Sequence, residues 1–363
     1  MTLVPHACRP LVRGGALLIA LAAIWSCSGD SSPAPTPTES GPAISPVASG
    51  TPIDFARADR LYYEGDFEGA LAIYSAAVKN GTEDERQTGL WKIARIQADR
   101  GENADAERNL ELLRKLSPGE ETDRRALLLL GSVEFAQGDL GEAREAFEAY
   151  LETSGPAAAY AHLGLADIES ADDDPKEALS RIGQALAAGL PAGAEADATF
   201  TMAAIYEAEE DYDSASSTLR SLTSPTRPDN VATEALWRRG NLEAERDNYS
   251  EAQLMYRTLI RRYPAYARAL EALNTPQAAA DPGVTSFDRA FVYFSQRIND
   301  QAQTAFEAIL ASPATGTVAA AEAHYYLGIL SERFSRYDDA LAHYDAAIAL
   351  LSPGLDDPLR GQS

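Results

Sequence analysis

The chain has 363 residues, with 31 Lys and Arg against 55 Asp and Glu, a formal net charge of −24. A surface so acidic repels nucleic acid and anionic lipid, and leaves cationic or neutral partners, or solubility alone, as its purpose. Hydrophobic residues make up 45% of the chain, enough for a continuous core, which argues against global disorder.

The amino terminus reads as an export signal. Residues 1–13 carry Arg9 and Arg13 and no acid, and Gly14 to Ser26 form a short apolar run. That run is too short to cross about 30 Å of hydrocarbon as a helix, and it suits the apolar region of a secretory signal. Cys27 follows at once, and Ile24-Trp25-Ser26-Cys27 resembles the bacterial lipobox, although Trp25 departs from its usual pattern. The resemblance implies that residues 1–26 are removed and Cys27 is lipidated; the alternative is an ordinary cleaved signal with an incidental cysteine. Cys8 would leave with the signal, so the mature chain would have no internal disulfide. Residues 27–52, rich in Pro, Ser and Thr, read as a disordered tether.

From residue 53 the periodicity turns helical. A first helix carries Ala58, Leu61 and Tyr62, Gly65-Asp66 breaks it, and a second helix from about Phe67 buries Ala70, Leu71, Tyr74 and Ala77. Ala58 and Ala70 fall where the two helices cross, where a larger side chain would push the axes apart. The phrase Phe67, Ala70, Tyr74 then recurs. Later copies are Leu140, Ala143, Phe147; Tyr212, Ala215, Leu219; Tyr249, Ala252, Tyr256; Asn299, Ala302, Phe306; and Tyr337, Ala340, Tyr344, with weaker copies at Ala106 and Ala178. Through Ala252 the alanines are about 35–37 residues apart, near the ~34 of a two-helix repeat.

Two departures interrupt the period. Gly164 and Ala178 are spaced as if the turn at Asp172-Asp173-Asp174-Pro175 held about two extra residues. A calcium loop lacks its Asp-x-Asp-x-Asp-Gly grammar there, and a helix cap with Asp174 at the cap and Pro175 in the first turn fits better. Between Ala252 and Ala302 the step stretches to about 50 residues. Ala267 to Leu273 predicts a short helix, and Asn274-Thr275-Pro276 and Asp281-Pro282-Gly283 predict a loop and a bend. This divides the body into a block at 53–264 and another at 265–353, with a tail at 354–363.

These residues resemble the tetratricopeptide repeat. Its small residue near the eighth position has counterparts in Ala58, Ala94, Gly131, Gly164, Ala203, Gly240, Ala290 and Gly328, and closing prolines in Pro118, Pro264 and Pro353. The resemblance covers about 53–353 and implies an all-α, TPR-like α-solenoid of about eight helix-turn-helix units. It also implies a concave groove lined by first helices. By analogy the groove is lined by Phe55, Trp91, Phe200, Trp237, Phe287 and Tyr325, with Tyr62, Phe135, Phe291 and Phe294 beside them. Such a groove suits an extended peptide, an amphipathic helix or a sugar chain; the competing reading is that the rings pack between helices. Some relatives grip a terminal carboxylate with a Lys and Asn set. Asn241 stands at that Asn position, but Trp237 replaces the Lys, so no such clamp is expected.

No phosphate loop, dinucleotide fingerprint or nucleophile elbow is present, and His162, His324 and His343 have no His or Cys at metal-ligand spacing. No cofactor, metal or catalytic residue is expected. The sequence therefore reads as a membrane-anchored, extracytoplasmic protein-interaction scaffold. It would sit on the outer face of a bacterial cytoplasmic membrane, or in the periplasm or outer membrane, touching lipid through its anchor alone and binding no nucleic acid. Two alternatives stand beside this. The segment from Phe291-Val292-Tyr293-Phe294 to Gly328 is similar to the helical superhelix of soluble lytic transglycosylases, whose catalytic domain has no room before Ser363. That likeness implies a non-catalytic relative in contact with peptidoglycan. The other alternative is an envelope or outer-membrane assembly lipoprotein.

Overall fold

A computed structural model describes residues 53–116 and 119–351; the expected signal, Cys27, the tether, Pro118, Pro353 and the tail lie outside them. The described residues form helices and no strand, and most of the helices come in eight consecutive pairs, each joined by a short turn. The first four are α1 (Phe55–Tyr63) with α2 (Phe67–Asn80), α3 (Glu83–Asp99) with α4 (Asn103–Lys115), α5 (Glu120–Gln137) with α6 (Leu140–Glu152), and α7 (Ala158–Ala171) with α8 (Pro175–Ala188). The others are α9 (Ala192–Ala208) with α10 (Tyr212–Ser221), α11 (Asp229–Glu245) with α12 (Tyr249–Arg262), α15 (Ser286–Ser295) with α16 (Asn299–Ala311), and α17 (Thr317–Arg333) with α18 (Tyr337–Leu351). Two short helices, α13 (Ala267–Leu273) and α14 (Pro276–Ala280), lie between the sixth and seventh hairpins. Compactness divides the chain into one unit through Ile205 and another from Tyr206.

All eight hairpins turn in the same way. In each, one residue takes a left-handed backbone: Gly65, Gly101, Gly138, Asp173, Glu210, Asp247, Arg297 and Ser335, with φ between 59 and 92°. The next amide donates to the carbonyl five residues back, as from Asp66 to Leu61, Asn248 to Glu243 and Arg336 to Ser331, each at 2.8 Å. This is the Schellman closure, which satisfies carbonyls that the ending helix leaves free. Aspartate then caps several second helices: the Asp66, Asp174 and Asp211 side chains accept from Gly69, Glu177 and Ser214 amides.

The fourth turn corrects the sequence reading. It holds no extra residues: Asp173 is its left-handed residue, and the Asp174 amide donates to Glu169 at 2.9 Å, as in every other hairpin. By that register the crossing residue of the hairpin is Ala166, 3% exposed, and not Gly164. With Ala166 in that place the spacing to Ala178 equals that of the other hairpins, and no residue is in surplus.

The signature alanines of the second helices are 0–2% exposed, which is what close helix crossing requires. The large residue one turn later fills the space that the small ones leave. A Cβ added to Gly131 would meet the Phe147 ring at 2.7 Å, and one added to Gly164 would meet the same ring from the next hairpin. Phe147 is 1% exposed and so locks two repeats at once. In the second unit the Tyr256 ring stands 2.6 Å from a Cβ added to Gly240.

The stretch 265–285 holds the expected short helix, Ala267–Leu273, and differs from expectation after it. Pro276 does not open a loop. It occupies the first turn of α14, where its missing amide costs nothing, and the Thr275 hydroxyl accepts from Ala278. Met255, Tyr256 and Leu259 of α12, Ala269, Ala272 and Leu273 of α13, Ala278 of α14 and Val292 of α15 share one core.

Candidate protein-binding groove

Within the first unit, α1, α3 and α5 stand side by side, each the first helix of its hairpin. Trp91 projects from α3 and forms a wall common to two neighbouring cavities. One, of about 350 Å³, is lined by apolar Leu128, Leu129, Val133 and Ala136 and by polar Arg124 and Tyr150. The other, of about 180 Å³, is lined by Tyr62, Tyr63, Tyr74, Lys92 and Thr88. Arg95 and Arg125 border both.

Three cations surround the indole. Lys92 Nζ, Arg95 Cζ and Arg125 Cζ each lie 5.8 Å from the Trp91 ring, inside cation–π range. Arg95 is one turn beyond Trp91 on α3, and Arg125 reaches the indole from α5, one turn before Leu128, the residue that occupies Trp91's position in the next repeat. Carboxylates hold these groups. Asp59 accepts from Lys92 at 2.6 Å, and Glu121 accepts from Arg125 at 3.0 Å. The Tyr62 hydroxyl donates to Asp99 at 2.6 Å. Burial, aided by that carboxylate, pushes the Tyr62 hydroxyl up to about 12, so it remains a donor at any physiological pH. Hydrogen bonding from Arg124, with Arg125 nearby, holds Glu121 below its ordinary value, so it remains an anion. Of the groove's side chains, the Trp91 Nε1 and Arg124 Nε donors are buried without a hydrogen-bond partner among the described residues.

The other sequence-derived positions are placed as follows. Phe55 stacks on Tyr74 with centroids 6.1 Å apart. Phe135 packs against the core that contains Phe147. Phe200, on α9, is partly buried. Trp237 lies against Tyr256 at 5.7 Å and under Arg268 at 5.5 Å. Asn241 accepts from the Tyr256 hydroxyl at 2.7 Å, so its amide oxygen is committed inside its own hairpin. Phe287 and Phe291 join Phe294, Phe306 and Tyr326 in a self-packed ring cluster. Tyr325 remains 51% exposed. The structure thus brings Tyr62 and Trp91 to one groove and distributes the remaining positions elsewhere.

Sequence reasoning missed the cations of this groove, because a net charge averages over the chain. Lys92 and Arg95 lie within four residues of Trp91, but the repeat register places Leu128 opposite it, so nothing in the period singles out Arg125. Sequence reasoning also left the histidines unpaired. Antiparallel packing of α17 and α18 brings His324 Nδ1 within 3.1 Å of His343 Nδ1. Burial, and then His343, lowers the His324 value, so that ring is neutral at pH 7. Among the described residues no three His, Cys, Asp or Glu side chains come together to hold a metal ion.

Tetratricopeptide repeat sequence profiles match residues 55–121, 92–159, 128–194 and 287–354, and a second such profile matches 234–266. No curated protein matches the chain. Among solved structures, a tetratricopeptide repeat protein from Parabacteroides merdae is 17% identical, over 74% of this chain and 94% of its own, with a TM-score of 0.41. Pseudomonas aeruginosa pilF is 18% identical over 65% and 95%, with a TM-score of 0.32. The quorum sensor NprR from B. thuringiensis is 13% identical over 82% and 97%, with a TM-score of 0.39. At such scores none of the three bears on function. The profiles cover more than half of the chain, in phase with its hairpins, and repeats of this kind make protein-interaction scaffolds. The chain belongs to the tetratricopeptide repeat family.

Proposed function

We propose that the protein is a membrane-tethered scaffold, outside the cytoplasm, whose groove at Trp91 binds a short segment of a partner protein and performs no chemistry. The segment carries an acidic side chain next to a bulky apolar one. One observation supports this most: a chain of net charge −24 gathers Lys92, Arg95 and Arg125 around one indole, with Arg124 lining the apolar cavity beside it. An incoming carboxylate reaches those cations by displacing Glu121, whose side chain is 55% exposed. The apolar neighbour enters between Leu128, Leu129 and Val133, where burying it contributes about 1.5–3 kcal/mol. The tether and lipid reading rests on the apolar run before Cys27.

The test is titration of the full chain with a panel of fluorescent peptides, identical except for Asp, Asn or Lys beside Leu or Ala. The Asp–Leu peptide is expected to bind best and to lose affinity as salt rises. Trp91→Ala should weaken it by about ten-fold or more. Equal binding of the Lys peptide would overturn the acidic-segment reading, and retention on purified peptidoglycan in place of peptide would replace the protein partner with cell wall. Fatty-acid labelling that survives Cys27→Ala would remove Cys27 as the lipid site, and no labelling of the wild-type chain would remove the anchor.

A further inference from the structure

The last hairpin leaves uncovered a face that the other hairpins bury. On α18, Tyr337, Leu341, Tyr344, Ile348 and Leu351 recur at steps of four and three, a straight apolar stripe along one side of the helix. Leu341 is 62% exposed, and Ile348 and Leu351 are each 61% exposed. In α12 the same register holds Tyr256, Ile260 and Tyr263, which are 2%, 1% and 4% exposed. They are covered by α13, which presents Ala269, Ala272 and Leu273 to them. The α12–α13 contact therefore shows the shape of what fits on α18: a helix with small residues and leucine at helical spacing. On α17, Val318 and Tyr325 are 62% and 51% exposed, and Tyr325 lies 6.1 Å from Tyr344, so the apolar surface spans both helices.

Charge chooses the occupant. Asp338 and Asp345 border the stripe on the side away from α17, and Glu322 stands exposed between Val318 and Tyr325. Two copies docked through this face would bring those acids against one another, at a cost in affinity. We infer that the α17–α18 face docks an amphipathic helix of a partner protein, with an alanine and leucine seam and lysine or arginine along its flanks. This site is independent of the groove at Trp91.

The probe is a synthetic helix of about 20 residues, long enough to run the whole length of α18. It has an Ala/Leu seam flanked by lysines, and a control carries glutamates instead. The lysine peptide is expected to bind the full chain, and Ile348→Glu or Leu351→Glu to weaken it by about ten-fold or more. Both positions are exposed, so both variants should keep wild-type far-UV circular dichroism. Trp91→Ala should leave this binding unchanged, so the two proposals can fail separately. Equal binding of the glutamate peptide would overturn the charge argument, and no binding would overturn the site. A dimer in sedimentation that Ile348→Glu dissolves would assign the face to a second copy. A gain in affinity on removing residues 352–363 would assign it to this chain's own tail.

Discussion

The groove at Trp91 and the ring cluster of the second unit draw on the same kind of residue with opposite results. Each draws aromatic side chains from first helices, joined in the second unit by Phe306 of α16. In the second unit Phe294 and Tyr326 lie 4.9 Å apart, Phe306 stacks on Tyr326 at 5.4 Å, and Phe287 closes on Phe306 at 5.8 Å. Rings there satisfy rings, and Arg333 covers Phe294 at 4.0 Å. Around Trp91 the neighbours are instead cations and cavity, and among the described residues no second ring stacks on it. Aromatic content at these positions therefore does not separate a binding surface from a core; the identity of the adjoining residues does.

The sharpest way to break this contrast is truncation. Phe306 is fully buried, and Phe306→Ala should destabilise the second unit by about 3–5 kcal/mol. Chemical denaturation followed by circular dichroism reads that loss, and Trp91→Ala should cost far less in the same assay while carrying the peptide-binding defect described above. If the two variants were equally destabilised, the groove would be core by another name. Charge gives an intermediate effect. Glu134, in the first unit, is pushed up to about 7 by burial and then by Glu107, Asp139 and Glu142. Its folded value lies above its unfolded one, so its contribution is complete below about pH 4.5 and is lost as pH rises through 7. Glu134→Gln should remove that slope and raise stability above pH 7 by roughly 1 kcal/mol, seen as a flatter plot of unfolding midpoint against pH. The smallest effect concerns a turn. Ser335 holds φ 59°, where a side chain is strained, so Ser335→Gly should raise the unfolding midpoint by an amount equivalent to about 0.5–1 kcal/mol.

The hairpins were legible in the sequence because their rule is local. An alanine such as Ala70 or Ala252 must be small wherever helices cross, and glycines at 65, 101 and 138 mark three of the turns. The other five turns hide the same left-handed backbone under Asp, Glu, Arg and Ser, which is why the Asp172–Asp174 turn was misjudged as long. Pro276 was misread for a similar reason: proline breaks a helix inside it and starts one at its edge, and composition alone does not say which. The groove was half legible. Tyr62 and Trp91 stood out as rings, but the cations around them are divided between α3 and α5, and only the packing of those helices brings them together. His324 and His343 are 19 residues apart, and only the antiparallel pairing of their helices makes them neighbours.

The identical closure of every hairpin bears on how such a chain can change in length. Each turn is fastened by its own amide and its own left-handed residue, so a doublet keeps its register whatever precedes or follows it. Extra chain such as α13 and α14 is accommodated at a junction between doublets. One residue added inside a doublet would instead rotate the second helix by about 100° and turn its alanines away from the crossing. The molecule is thus divisible between doublets and intolerant within them, and growth by whole doublets is the path of least resistance.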